Sequence, residues 1–344
     1  MKSRFVLNPK GLMLRLLQAL ATVVFVHQSR AQSADDFLKS ALACSDQSDW
    51  DCAIRETTKA IQADPQNDRA YITRGHAYAS KRDWDRALAD YGAAIRLDPK
   101  NADAYDMRAC VYEMTGNLDS AIADFDKALK FAPDNGVAYA ARGYAYSQKR
   151  DLERAISDFN ESIKRDSRHG LVYVWRGDAY IGKGEWAKAT ADYDEAVRLS
   201  PADPLSWNQR GYCYAKQGLW TNAVADLNHA LTLDPNDTEA LNELAWVRAT
   251  CPDAWQRDGG EAVHLATKAC NATDWKTPYY IDTLAAAYAE SGAFDKAIKF
   301  QQDAVSAESS TNAAYRAMQQ RLELYRQHKP YRESAHPANL EKQN

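Results

Sequence analysis

Residues 68–101 read DRAYITRGHAYASKRDWDRALADYGAAIRLDPKN, and residues 102–135 read ADAYDMRACVYEMTGNLDSAIADFDKALKFAPDN. Laid one over the other, 34 residues apart, they agree column by column, and the agreement runs on through the chain. An aromatic recurs at Tyr71, Tyr105, Tyr139, Tyr173 and Trp207, followed four residues later by Gly75, Ala109, Gly143, Gly177 and Gly211. Three further on stand Tyr78, Tyr112, Tyr146, Tyr180 and Tyr214, then the alanine columns of Ala87 and Ala94 and their equivalents. Most units close on a proline: Pro99, Pro133, Pro201, Pro235. A fixed period of this length means stacked copies of one small unit. Such a chain builds an extended surface and seldom a catalytic cleft.

Within residues 68–101 the apolar period is helical twice over. Tyr71, Gly75 and Tyr78 share one stripe, Lys81-Arg82-Asp83 interrupts it, and a second helix starts near Trp84 with Ala87, Leu88, Tyr91, Ala94 and Ile95 inward. Asp98-Pro99 stops it, because proline cannot continue a helix. Small residues let the two helices approach and large ones fill the flanks. The pair cannot bury its own face and must stack on its neighbours.

The spacing aromatic–x3–Gly–x2–Tyr–x8–Ala–x3–Tyr/Phe–x2–Ala–x4–Pro resembles the tetratricopeptide repeat. Five clean units span 68–101, 102–135, 136–169, 170–203 and 204–237, and a degenerate one spans 34–67. A seventh, 238–277, carries a longer interhelical loop from Cys251 to Gly260, and an eighth spans 278–311. The stretch from Leu244 to Leu284 resembles a terminal module of bacterial members of the family. The resemblance implies an all-α fold: a right-handed superhelical solenoid of antiparallel helix pairs over 32–328. A capping helix at 312–328 ends the ribbon, and 329–344, with two prolines and little apolar content, reads as a flexible tail.

Residues 1–31 stand apart. Lys2, Arg4, Lys10 and Arg15 precede an apolar run, Leu16–Val26, and Ser29-Arg30-Ala31 offers a small-x-small site. That is the form of a cleaved signal peptide, and the run is short for a span of ~20 residues. A periplasmic or secreted protein with no stable membrane insertion is expected. Loss of five basic and no acidic residues would take the formal charge from −4 to −9. An acidic chain argues against a nucleic-acid partner.

Export would permit disulfides. Cys44, near the end of one expected helix, and Cys52, in the first turn of the next, sit where antiparallel helix ends lie side by side. Cys251 and Cys270 flank a helix–loop–helix unit and their pairing stays open; Cys110 and Cys213 are too far apart and suit small core places.

A second ladder runs through the repeats: Arg74, Arg108, Arg142, Arg176 and Arg210, with Asp90, Asp124, Asp158, Asp192 and Asp226 sixteen residues on. Where the Arg is lost the Asp is lost too, as at Leu244 with Leu265. Pairing between the two helices of a unit explains this better than an anion stripe, since a ligand site seldom needs five identical copies.

With Tyr71, Gly75 and Tyr78 facing the core, the neighbouring stripe is Ile72, His76, Ala79 and their equivalents, which in this family lines the concave groove. Asn208, Tyr212, Asn242 and Trp246 form its best-looking patch: amides to grip a peptide backbone and aromatics to hold side chains. Tyr144 and Asp178 lie on the same stripe. The Lys/Asn clamp by which cochaperone-type members hold a C-terminal carboxylate is missing, its places being taken by Ile72, Asp106, Cys110 and Val174.

No His-Glu-x-x-His, Gly-x-Ser-x-Gly or phosphate loop is present in the sequence, and no cofactor, metal or enzymatic activity is expected. The leading reading is a scaffold or adaptor holding a peptide or helix of another protein in the groove. Two alternatives are a self-associating structural scaffold and a binder of a non-protein cell-envelope ligand.

Overall fold

The computed structural model describes residues 32–308 and 312–334. The expected signal peptide (1–31) and the end of the expected tail (335–344) lie outside them. The described residues hold 17 α-helices, one short 3-10 helix and no strand.

The chain divides between Arg168 and His169 into two compact units. The N-terminal one contains α1 (Gln32–Asp46), α2 (Trp50–Ala63), α3 (Asp68–Ser80), α4 (Trp84–Leu97), α5 (Ala102–Met114), α6 (Leu118–Phe131), α7 (Gly136–Gln148) and α8 (Leu152–Arg165). The C-terminal one contains α9 (Gly170–Lys183), α10 (Trp186–Leu199), α11 (Pro204–Lys216), α12 (Trp220–Leu233) and α13 (Thr238–Thr250). There follow the 3-10 turn Ala254–Gln256, α14 (Gly259–Ala272), α15 (Pro278–Glu290), α16 (Phe294–Ala307) and α17 (Ala313–Arg326).

Within each unit consecutive helices pack in antiparallel pairs, and each pair packs on the next. The sequence dictates these boundaries. Asn67, Asn101 and Asn135 cap α3, α5 and α7 by accepting from backbone N–H groups; Asp49, Asp83, Asn117 and Asp151 do the same for α2, α4, α6 and α8. Every turn within a helix pair but the long one places one residue in the left-handed region, in one column: Ser48, Arg82, Gly116, Arg150, Gly184, Gly218 and Gly292.

The core is built where the small column meets the large one. A Cβ on Gly177 would come within 2.9 Å of the Tyr193 ring, so glycine sets the spacing of α9 and α10. The Arg–Asp ladder sits beside this contact. Arg108 Nε and Nη2 donate to Asp124 at 2.6 and 2.9 Å, and Arg142 to Asp158 at 2.7 and 2.8 Å. Arg74–Asp90, Arg176–Asp192 and Arg210–Asp226 have the same two-toothed geometry. Rungs also reach back a repeat: Arg74 Nη1 to Thr58 Oγ1 at 3.3 Å, Arg142 Nη1 to Asp126 at 2.6 Å and Arg210 Nη1 to Asp194 at 2.8 Å. The ladder therefore ties helix to helix and repeat to repeat.

Cys44 and Cys52 form a disulfide across the α1–α2 turn, with Cα atoms 5.7 Å apart. Cys251 and Cys270 are unbonded and buried, as are Cys110 and Cys213.

The longer loop after α13 is folded onto the molecule. Arg257 Nη1 donates to the Cys251 and Pro252 carbonyls at 2.9 Å, and its Nε to Glu290 at 2.9 Å. The tail departs from expectation at its near end. Residues 329–334 have no helix, yet the Glu333 N–H donates to the Thr250 carbonyl at 2.9 Å, and Arg332 pairs with Glu290 at 2.5 Å. Low apolar content marks a segment that cannot build a core of its own; it does not prevent docking through Tyr331, Arg332 and the backbone.

Candidate functional site

The stripe that the sequence places on the groove comes from the first helix of each pair. In the N-terminal unit it carries His76, Asp106, Cys110, Glu113 and Tyr144. Asn135 Nδ2 donates to Asp106 Oδ2 at 3.4 Å, while Asp106 Oδ1 is buried without a partner. Gln148 Nε2 donates to Glu113 Oε1 at 3.0 Å, leaving Oε2 likewise unmet. Burial penalises the charged form: it raises Asp106 to about 7 and Glu113 to about 8. Tyr144 is half-buried on α7 of this unit.

The other five proposed ligand residues belong to the C-terminal unit, and the structure corrects three of them. Asn208, Asn242 and Trp246 are 2, 0 and 7% exposed, so they do not present an open patch. The stripe lies where first helices of successive pairs touch, α11 against α13. Asn208 is already engaged: its Nδ2 donates to Asp237, the N-cap of α13, at 3.3 Å. Trp246 is covered from the C-terminal side. The Arg321 guanidinium lies 5.3 Å from its ring and the Tyr331 ring 5.8 Å. Trp246 is thus a core residue beneath the capping helix and the strap that follows it.

Arg321 shows how the stripe can hold a side chain. Asp282 occupies on α15 the place that Asn208 and Asn242 hold on α11 and α13. Its carboxylate accepts from Arg321 Nε and Nη2 at 2.9 and 2.7 Å, and from Gln301 Nε2 at 2.7 Å. The pair is fully enclosed, Asp282 at 0% and Arg321 at 5% side-chain exposure. A guanidinium is thus gripped bidentately by one repeat and stacked on the tryptophan of the repeat before, the geometry for which arginine is suited.

Next to this filled end, the stripe stays partly open around Tyr212 and Asp178, both half-buried. Trp186 packs edge-on against Tyr212 at 5.9 Å, and Lys216 Nζ lies 4.9 Å from its ring centre. Tyr193 Oη donates to Asp178 at 2.5 Å. Glu239, Asn242, Glu243 and Trp246, at i, i+3, i+4 and i+7, share one face of α13. Tyr279 Oη donates to Glu243 at 2.9 Å. Burial raises Asp178 to about 7; burial, then the charges of Asp237, Glu243 and Asp178, raises Glu239 to about 7. Both amide atoms of Asn242 are buried with no partner.

Glu239, Glu243, Asp282 and Arg321 were not among the residues singled out from sequence. Each lies in a repeat whose register was legible, but the meeting of α17 with the stripe spans 39 residues between Asp282 and Arg321, beyond the reach of a 34-residue period. The described residues hold no cluster of three or more potential metal ligands. No helix among them is long and apolar enough to cross a membrane.

Helix pairs repeating in fixed register define a helical-repeat solenoid protein. Two tetratricopeptide-repeat family models match the chain, one over 75–143 and 177–257 and the other over 140–204. Together they span residues 75–257, more than half of its 344 residues, and the chain belongs to the tetratricopeptide repeat family. Among curated proteins none matches the sequence. By fold the chain is similar to a tetratricopeptide repeat protein from Parabacteroides merdae, with TM-score 0.51 and 16% identity over 86% of this chain and 100% of that one. PilF of Pseudomonas aeruginosa gives 0.56 and 16%, over 61% and 95%. A chain of the APC/C hetero-tetramer Cut9–Hcn1 gives 0.56 and 16%, over 90% and 58%. At these identities the likeness concerns the fold.

Proposed function

We propose that this protein is a non-enzymatic interaction scaffold that binds a segment of another protein along the first-helix stripe, in the periplasm or outside the cell. The observation that carries the reading is internal. Residues 331–334 lie non-helical against α13, with a backbone hydrogen bond from Glu333 to Thr250 and the Tyr331 ring on Trp246. The stripe thus already accepts an extended piece of chain, and its next stretch, around Tyr212 and Asp178, is half-buried and lined with polar groups. Stripe residues differ from repeat to repeat while core columns recur, as a surface selected for contact would. The signal-like N-terminus and the Cys44–Cys52 bond support export, since disulfides persist in oxidising compartments.

A photo-crosslinking residue in place of Tyr212, compared with one in place of exposed Asp85 on a second helix, tests this in the native host. A protein adduct formed from position 212 and not from 85 is expected. Equal adducts from both positions, or none from 212, would refute the groove reading. An adduct of twice the chain mass would replace it with self-association.

A further inference from the structure

We infer that the partner segment taken by the C-terminal unit is basic, with an arginine seated among Asp178, Glu239 and Glu243 as Arg321 is seated on Asp282. The inference rests on the groove reading above and adds the chemistry of the ligand.

Three observations carry it. First, the half-buried stretch gathers carboxylates: Asp178 on α9, Glu239 and Glu243 on α13, and Glu333 on the docked strap. Glu239 and Glu243 stand one turn apart on α13, the charges of Asp178 and Glu243 bear on Glu239, and that of Glu333 bears on Glu243. The facing cation is Lys216, which lies over Tyr212 and acts on Glu243. Second, Asn242 stands on the same face of α13 as both glutamates, wholly buried, with its oxygen and nitrogen unmatched. A buried amide without partners is unfavourable, and a guanidinium entering this face would supply its oxygen with a donor. Third, the same stripe position one repeat on, Asp282, holds a guanidinium in two hydrogen bonds with a tryptophan beneath it. Tyr212 is the matching aromatic for a cation beside Glu239 and Glu243, in the place that Trp246 fills for Arg321.

The logic is electrostatic. Like charges in a partly dry groove raise one another's energy, and an incoming cation relieves that strain while gaining charge-assisted hydrogen bonds. An acidic segment would add to the repulsion.

Fluorescein-labelled decapeptides of alternating Arg-Ala, Gln-Ala and Glu-Ala, titrated by anisotropy against the full-length chain at pH 8, test the inference. The Arg-Ala peptide is expected to bind at least tenfold tighter than the other two. It should lose at least tenfold on Glu239→Gln/Glu243→Gln and nothing on Asp85→Asn/Asp134→Asn, an equal loss of charge at exposed second-helix and loop positions. Equal losses in the two double variants would overturn the site, showing attraction to net charge alone. Tighter binding of Gln-Ala or Glu-Ala, abolished by Tyr212→Ala, would overturn the basic preference while leaving the groove reading intact. Binding insensitive to Tyr212→Ala and to the glutamate variants would overturn both. Circular dichroism of each variant confirms that helix content is unchanged.

Discussion

At the scale of single residues, the stripe carboxylates set a pH dependence opposite to that of paired surface acids. Burial raises Glu113 to about 8 and Asp106 to about 7. Between the ordinary carboxylate range and those values the folded chain keeps protons that the unfolded chain gives up. Folding stability therefore falls as pH rises from about 5 to 8, by up to about 1.4 kcal/mol per pH unit per group. Acids such as Asp151 and Glu161, held low by Arg154 and Arg165, add their stability above the usual carboxylate range and do not vary in this window. Glu113→Gln is expected to flatten the decline of Tm between pH 5.5 and 8 and to raise Tm at pH 8. A Tm that climbs over this interval, or a variant with an unchanged slope, would contradict the account. The ladder was legible at this scale because Arg and Asp vanish together. The left-handed column was less so: four glycines mark it, but Ser48, Arg82 and Arg150 occupy the same turn with no chemical signal.

At the scale of elements, the helices were legible almost to the residue, since caps, prolines and the two apolar periods recur 34 residues apart. What escaped was whatever occurs once. The strap at 329–334 has a composition that suggests a loose end, and its docking partners on α13, α15 and α17 hold it. The tryptophan chosen as an open anchor is the floor beneath that strap. Both errors share a cause: periodicity reports which face a residue occupies, not what later element covers that face. The Asp282–Arg321 pair is the key contact of this cover. Arg321→Met leaves a bare carboxylate in a dry site and is expected to destabilise the C-terminal unit by about 3–5 kcal/mol. It should also open cleavage by trypsin after Arg326 and Arg332. Asp282→Asn combined with Arg321→Met should recover more than 1 kcal/mol of that loss, the coupling of a double-mutant cycle. Single variants within about 0.5 kcal/mol of the parent, with the strap still resistant, would refute this role.

At the scale of the molecule, a tetratricopeptide array has no single deep pocket to announce its purpose; its ligand is chosen by a few variable positions on a repeated scaffold. The fold could be read from sequence because many columns repeat it. The proposed site could be read only as a stripe, because its chemistry would come from single residues on several helices: Asp178, Tyr212, Glu239 and Glu243, with Asn242 buried beneath them. The central claim is that this stripe of the C-terminal unit is the binding face. Hydrogen–deuterium exchange of the full-length chain, with and without the Arg-Ala decapeptide at saturation, tests it most directly. Slower exchange confined to α9, α11 and α13, with α10 and α12 unchanged, is the predicted result. Protection on α10 and α12, or none on the three first helices at saturation, would contradict it.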